Sequence, residues 1–267
     1  MILRFHKYHG TGNDFILVDN RTGAYQPGEQ TIARLCDRHF GIGADGLILL
    51  NDSPGYDFGM SYYNSDGRES TMCGNGGRCI IAFADFLSLT KIESRFMAVD
   101  GAHEGVVLSK KENLYYVRIR MSDVVSFGEW NGKITVNTGS PHLLCDAEDI
   151  HQIDIREDAR PLRYDEDFMP DGINVNFVQD CGDHLSIRSY ERGVEDETLS
   201  CGTGVTAAAL YHARQKNLKE GRIAVLTMGG ILHVNFKATM TGFTDIWLEG
   251  PAQRVFEGVI DTESWNI

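Results

Sequence analysis

The chain has 267 residues, 42% of them apolar and 24% charged, with 29 Gly, 6 Pro and 6 Cys. This composition can build packed cores, which excludes a disordered or collagen-like chain, and no apolar run approaches the roughly 18 residues of a membrane span. A net charge of −13 argues against a broad nucleic-acid footprint, and the opening residues MILRFHKYHG lack a secretory h-region, so no nucleic-acid or membrane partner and a cytoplasmic location are expected.

In chain order, runs of Val, Ile, Tyr and Phe between Gly, Asn and Asp breakers predict strands at residues 2–6 and 15–20. Helical period follows at residues 31–39, where Ile32, Leu35, Cys36 and His39 share one face. Further strands are expected at 47–50 and 58–63, then a helix at 75–87 with Ile80, Phe83, Ala84 and Leu87 on one face, then strands at 96–99, 105–108 and 114–119. The second half predicts strands at 133–137, 142–145, 175–178 and 185–190, a helix at 203–214, and strands at 222–226, 231–236, 245–248 and 254–256. Val205, Ala207, Ala208, Ala209 and Leu210 make that last helix narrow enough to be enclosed by other structure. The element reading is β-rich, with few helices among many short strands.

The chain also repeats itself. TGNDFILVD at residues 11–19 matches TGSPHLLCD at 138–146, an offset of 127, and CGNGGRCIIAFA at 73–84 matches CGTGVTAAALYH at 201–212, an offset of 128. A weaker match pairs GIGADGLIL from Gly41 with GINVNFVQD from Gly172, at an offset of 131. Three matches in order predict two half-length domains of similar fold, joined near residues 118–133.

The six cysteines stand at 36, 73, 79, 145, 181 and 201, with no Cys-x-x-Cys pair and no zinc-finger spacing, so mostly reduced thiols and no metal site are expected. Cys36, Cys79, Cys145 and Cys181 read as small buried residues. Cys73 and Cys201 are different: each precedes a predicted helix in the shared pattern Cys-Gly-x-Gly. A helix start carries unsatisfied N–H donors and a partial positive charge, which favour a thiolate or a substrate carboxylate. Gly there lets a ligand approach the backbone closely. No Gly-Lys-Ser/Thr follows, so a phosphate loop fits poorly. Two equivalent thiols across a pseudo-twofold axis can remove a proton from one face of a carbon and return one to the other, or can join in a disulfide.

These residues resemble the pyridoxal-independent diaminopimelate epimerases. The resemblance runs through HGTGNDF from His9, FGIGAD from Phe40, Asn64-Ser-Asp-Gly67, CGNGGR from Cys73, Gly139-Ser-Pro-His142, NVNF from Asn174, Glu191-Arg-Gly193 and CGTG from Cys201. It implies two α+β domains, residues 1–121 completed by 254–267 and residues 122–253, each a mixed β barrel or sheet wrapped around a central helix, with the substrate in the cleft between them and no cofactor or metal. The implied reaction interconverts LL- and meso-diaminopimelate. The implied bases are Cys73 and Cys201, with Cys201 as acceptor and Cys73 as donor in one direction; Asn13, Asn64, Gly74, Asn75, Asn174, Glu191, Arg192, Gly202 and Thr203 bind the substrate; His142 and Glu191 tune the thiols. A homodimer is implied too. Two positions depart from the family pattern, Gly46 where Gln is frequent and Ser140 where Asn is usual. A racemase for another amino acid, a thiol redox protein and a non-catalytic amino-acid binder are the competing readings.

Overall fold

A computed structural model describes residues 2–90 and 93–262. The chain divides into two compact units: residues up to 119 with those from 251 onward, and Arg120–Gly250. The first unit runs β1 (Ile2–Gly10), β2 (Asn13–Asp19), α1 (Glu29–Cys36), β3 (Gly46–Asn51), β4 (Phe58–Asn64), β5 (Glu69–Ser70), α2 (Gly74–Phe86), β6 (Glu93–Ala98), β7 (Gly101–Lys111) and β8 (Leu114–Arg120). The second runs β9 (Gly128–Trp130), β10 (Lys133–Asn137), β11 (Pro141–Asp146), α3 (Ile155–Arg163), β12 (Asn174–Asp180), β13 (Leu185–Glu191), β14 (Asp196–Thr198), α4 (Gly202–Gln215), β15 (Glu220–Thr227) and β16 (Gly230–Ala238). The last strand, β17 (Phe243–Asp261), begins in the second unit and ends in the first.

Both units use one pairing scheme. β1–β2 is an antiparallel hairpin, β2 and β3 are parallel across the α1 crossover, β3–β4 is antiparallel, β4 and β6 are parallel across α2, and β6–β7–β8 is a meander. β10 to β16 repeat this, with parallel steps β11–β12 across α3 and β13–β15 across α4. In the first unit β17 pairs with both β1 and β8, closing an eight-stranded barrel. In the second, β17 pairs with β16, Val124 bridges Phe243 and β9 pairs with β10. Closure removes the exposed strand edges that an open sheet would leave unpaired.

The strands of each unit wrap around one helix. α2 packs on β1, β2, β3, β4 and β7, and every residue from Gly74 to Ala84 is buried. α4 packs on β10, β11, β12, β13, β15 and β16, with Val205 to Tyr211 buried. An apolar face alone would not suit a helix surrounded on all sides, and the small residues of α4 answer that need. α1 and α3 cover the outside. Ile32, Leu35 and Cys36 join Leu3, Phe5, Ile16 and Leu47 in one outer core, while Ile155 and Ala159 join Leu143, Val175, Phe177 and Tyr190 in the other.

Several elements differ from the sequence expectation. The helix expected at 31–39 is Glu29–Cys36; Asp37 is extended and its carboxylate accepts the N–H groups of His39 (2.8 Å) and Phe40 (2.7 Å), so His39 lies outside the helix. α3 was not expected, because Pro161 and four charged residues at its start and middle mask its period. Its Asp154 cap accepts N–H groups from Arg156 and Glu157 and holds the first turn. The strands expected at 245–248 and 254–256 are one strand, since the extended backbone that proline favours can continue β structure. The 131-residue offset is out of register. Phe15 pairs with Gly46 and His142 with Asn174, so Gly46 corresponds to Asn174, 128 residues on. Cys181 is exposed in the turn between β12 and β13, rather than buried, with its Sγ 3.5 Å from Ser186 Oγ.

Candidate active site

The site residues fall into two sets, one per unit. In the first, Cys73 caps α2: its backbone is extended and its Sγ accepts the N–H of Gly76 at 3.2 Å. Gly74 and Asn75 form the first helical positions, and Asn75 is only 3% exposed. A donor from the helix start held against sulfur favours the thiolate. β1 and β2 meet in a two-residue turn with Thr11 at φ 50° and Gly12 at φ 89°, the geometry of a type I′ hairpin. A β-branched residue rarely adopts this conformation. Thr11 is held there by its neighbours, for its hydroxyl accepts from Arg78 Nη2 at 3.3 Å.

Beyond that turn Asn13 donates from Nδ2 to Asp45 at 2.7 Å and accepts from Asn75 Nδ2 at 3.2 Å. Asp45 is in turn bonded by Arg38 at 2.7 Å. Asp14 is paired with Lys7 (2.7 Å) and Arg38 (2.8 Å), and the two cations hold its carboxyl below the usual range, at about 2, against the opposing effect of burial. Asn13 is thus fixed through its carboxylate neighbour. Asn64 stands apart at the exposed end of β4, where its backbone closes a turn with Gly67 and Arg68.

In the second unit Cys201 caps α4 and is 7% exposed, with its Sγ 3.4 Å from Thr203 Oγ1. Burial and then the Glu191 carboxylate push its thiol well above the ordinary range. Glu191 accepts a short hydrogen bond from Thr198. Thr203 is anchored through its carbonyl, which accepts from Thr138 at 2.8 Å. Gly202 is buried at the first position of α4.

Beneath this helix start lies a buried polar layer. His142 is fully buried, its Nδ1 accepts from Asn176 Nδ2 at 3.0 Å, and burial pushes its pKa down to about 3. The ring is therefore neutral with its proton on Nε2, and that N–H has no partner among the described residues. Asn176 also donates to Leu143 O at 3.3 Å and accepts from Ser189 at 2.9 Å. Asn174, two residues earlier on the same strand face, donates to Ser140 Oγ (2.8 Å) and Pro141 O (3.0 Å) and accepts the Arg192 N–H (2.9 Å). Arg192 is exposed, and its Nη1 donates to Asp171 O at 3.3 Å.

Both departures from the family pattern have a local explanation. Ser140 Oγ accepts from Asn174 Nδ2 at 2.8 Å, so the shorter side chain still reaches its neighbour. A Cβ at Gly46 would lie 2.5 Å from Tyr63 O and 2.6 Å from the Tyr62 ring, so the space for any side chain is already filled. The sequence reading missed Asp45, Thr198, Asn176 and Arg78. Asn176 had a visible signal: Asn174 and Asn176 alternate on one strand, which places two amides on the same buried face.

A sequence profile described as diaminopimelate epimerase matches residues 5–117 and 134–255. A diaminopimelate epimerase of Flavobacterium psychrophilum is 45% identical over 261 residues, covering 97% of this chain and 100% of the relative. That of Chlorobaculum tepidum is 41% identical, covering 94% and 98%. Among solved structures, a PhzF-family phenazine biosynthesis protein of Bacillus anthracis superposes with a TM-score of 0.79 at 14% identity, covering 98% of this chain and 99% of the other. A hydroxyproline epimerase of Agrobacterium vitis with bound trans-4-hydroxy-L-proline gives 0.72 at 13% identity, covering 97% and 92%. At these identities the structures share the fold.

Proposed function

Because the chain belongs to the diaminopimelate epimerase family, we propose that it interconverts LL- and meso-2,6-diaminopimelate with two thiols, Cys73 and Cys201. The enzyme is an isomerase, and the reaction supplies lysine and peptidoglycan precursors. The observation that carries the two-thiol reading is the duplication itself: a cysteine caps the enclosed helix of each unit, at positions 73 and 201.

In the proposed reaction one sulfur, as thiolate, takes the α-proton. The electron pair left on carbon delocalises into the α-carboxylate, and the other thiol returns a proton to the opposite face. The reverse direction exchanges the roles. Negative charge grows on the carboxylate as the proton leaves, so N–H donors of Gly74, Asn75, Gly202 and Thr203 at the two helix starts lower the barrier. Asn13, Asn64, Asn174, Glu191 and Arg192 complete substrate recognition. Arg192 offers a planar fork suited to a carboxylate. Asn174 takes part mainly by fixing the Arg192 backbone, as its amide hydrogens are already used within the unit. His142, neutral at any physiological pH, contributes a hydrogen bond from Nε2 rather than a charge. A cytoplasmic homodimer is the assembly we propose.

The test is direct. Purified protein free of pyridoxal phosphate is incubated with LL-diaminopimelate, and meso product is followed by chiral chromatography. Inversion should occur, and should be lost in Cys73→Ala and in Cys201→Ala. Full activity in both variants would rule out the two-thiol mechanism, and inversion of a different amino acid alone would reassign the substrate.

A further inference from the structure

Arg78 lies one turn into α2, four residues after Gly74, and is entirely buried. Its four hydrogen-bond acceptors are neutral: Gly74 O at 3.1 Å, Asn75 Oδ1 at 2.9 Å, Thr11 Oγ1 at 3.3 Å and Pro251 O at 3.4 Å. No carboxylate is paired with it among the described residues. A buried guanidinium without a counter-ion is costly, so its retention calls for a use. The surroundings are built to hold it. A Cβ at Gly10 would lie 3.2 Å from Arg78 Nη2, and the left-handed Thr11 offers its hydroxyl to the same nitrogen.

The duplication supplies an internal control. The counterpart of Arg78, 128 residues on, is Thr206, whose hydroxyl donates to Gly202 O at 2.9 Å. Gly202 is the counterpart of Gly74. The two halves therefore make the same bond to the residue after the cysteine, with a cation in one and a neutral hydroxyl in the other. The strands beneath diverge in the opposite sense. His142, Asn174, Asn176 and Ser189 lie at the register positions of Phe15, Gly46, Ile48 and Tyr62. The second unit carries a polar layer and the Glu191 carboxylate near its sulfur, while the first carries an apolar layer and a buried cation.

We propose that Arg78 is a positioning residue for the Cys73 half of the reaction: its guanidinium fixes the Gly74–Asn75 turn and holds the Cys73 sulfur in its charged form, so that the resting enzyme carries a thiolate at Cys73 and a thiol at Cys201. This rests on the two-thiol reading and deepens it by setting the two thiols apart. The titratable groups that interact with Arg78 are Cys73 and Cys79 on its own helix and Tyr116 on β8. Cys79 is buried and its thiol is pushed up strongly, so it stays neutral. Asp14 on β2 is occupied by Lys7 and Arg38, and Asp100, which accepts from the Met72 N–H at 3.4 Å, is held by His103. Burial lowers the pKa of Arg78 to about 10, which leaves it charged at neutral pH.

The experiment labels folded protein with iodoacetamide between pH 5 and pH 10 without substrate, and quantifies the Cys73 and Cys201 peptides by mass spectrometry. The pH midpoint of labelling reads acidity and cancels differences in access. In the wild type the Cys73 midpoint should lie at least one pH unit below that of Cys201. Arg78→Met should slow Cys73 labelling at pH 7 about tenfold, as expected for loss of a nearby opposite charge, and leave the Cys201 midpoint in place. Arg78→Lys should restore most of the Cys73 rate. A wild-type Cys73 midpoint at or above that of Cys201 overturns the proposal without any variant, even should Arg78→Met fail to fold. So does an unchanged Cys73 rate in folded Arg78→Met. A purely structural role would give no rescue by Lys. Failure of the two-thiol reading would show separately, as inversion retained in Cys73→Ala.

Discussion

Replacing Asn176 by Leu removes the centre of the polar layer beneath Cys201 while keeping a side chain of the same branched shape, somewhat larger in volume. Asn176 is fully buried and makes three hydrogen bonds, to His142 Nδ1 (3.0 Å), Leu143 O (3.3 Å) and Ser189 Oγ (2.9 Å). His142 and Ser189 are themselves 0% and 4% exposed, so no water replaces the lost partner. Each stranded buried group costs roughly 1–3 kcal/mol. The added apolar surface returns about 1 kcal/mol. For three stranded groups the net loss is about 2 kcal/mol or more. For a chain of this size 1 kcal/mol corresponds to roughly 2–4 °C, so Tm should fall by at least about 4–8 °C. Calorimetry or near-ultraviolet circular dichroism measures it. A fall below about 3 °C would refute the reasoning, because it would mean that the layer is hydrated or that the hydrogen bonds carry little net energy.

Three further predictions follow from the same geometry. His142 is held neutral, with its pKa pushed from 6.5 down to about 3 by burial; the unfolded chain therefore binds the extra proton between those values, so stability is complete above pH 6.5 and declines on acidification at up to about 1.4 kcal/mol per pH unit. Denaturant unfolding from pH 7 to pH 4 should show this slope reduced in His142→Phe, and an identical slope in the variant would contradict it. Glu191→Gln removes a carboxylate that pushes the Cys201 thiol up, so Cys201 should label about threefold faster or more at pH 7; an unchanged or slower rate would be against it. Asp45→Ala frees the Asn13 amide held at 2.7 Å, and steady-state kinetics should show KM rising about threefold to tenfold with kcat little changed, whereas a change in kcat alone would place Asp45 elsewhere in the mechanism.

Much of the fold was legible because its strongest signals are local. The enclosed helices announce themselves by Cys-Gly starts followed by small apolar residues, and the repeat brings out the two units. α3 shows how a local signal can be overruled: Pro161 and the charges around it hide the period, although Asp154 followed by Glu157 is a capping pattern. The repeat offered a second route, since α1 transferred by 127 residues falls on α3. Gly250 and Pro251 look like a break, yet β17 runs through them because extended backbone tolerates both. The tuning residues were hidden for a different reason. Arg78 meets Thr11 and Pro251, and Asn176 meets His142, across 67, 173 and 34 residues. Such partners emerge only when the strands are registered. The same registration moved the third repeat match from 131 to 128 and showed that Gly46 stands where the other unit has Asn174.

The central claim is that two different sulfurs serve the two faces of one carbon. The most direct measurement is the early-phase partition of deuterium when LL-diaminopimelate turns over in heavy water. A thiolate that takes the α-proton on one face and a deuterated thiol that delivers on the other place solvent deuterium in the meso product, while recovered LL substrate stays almost unlabelled at low conversion. Deuterium appearing in recovered LL substrate as fast as in product would mean that one base works both faces, and would contradict the assignment of Cys73 and Cys201 to separate roles.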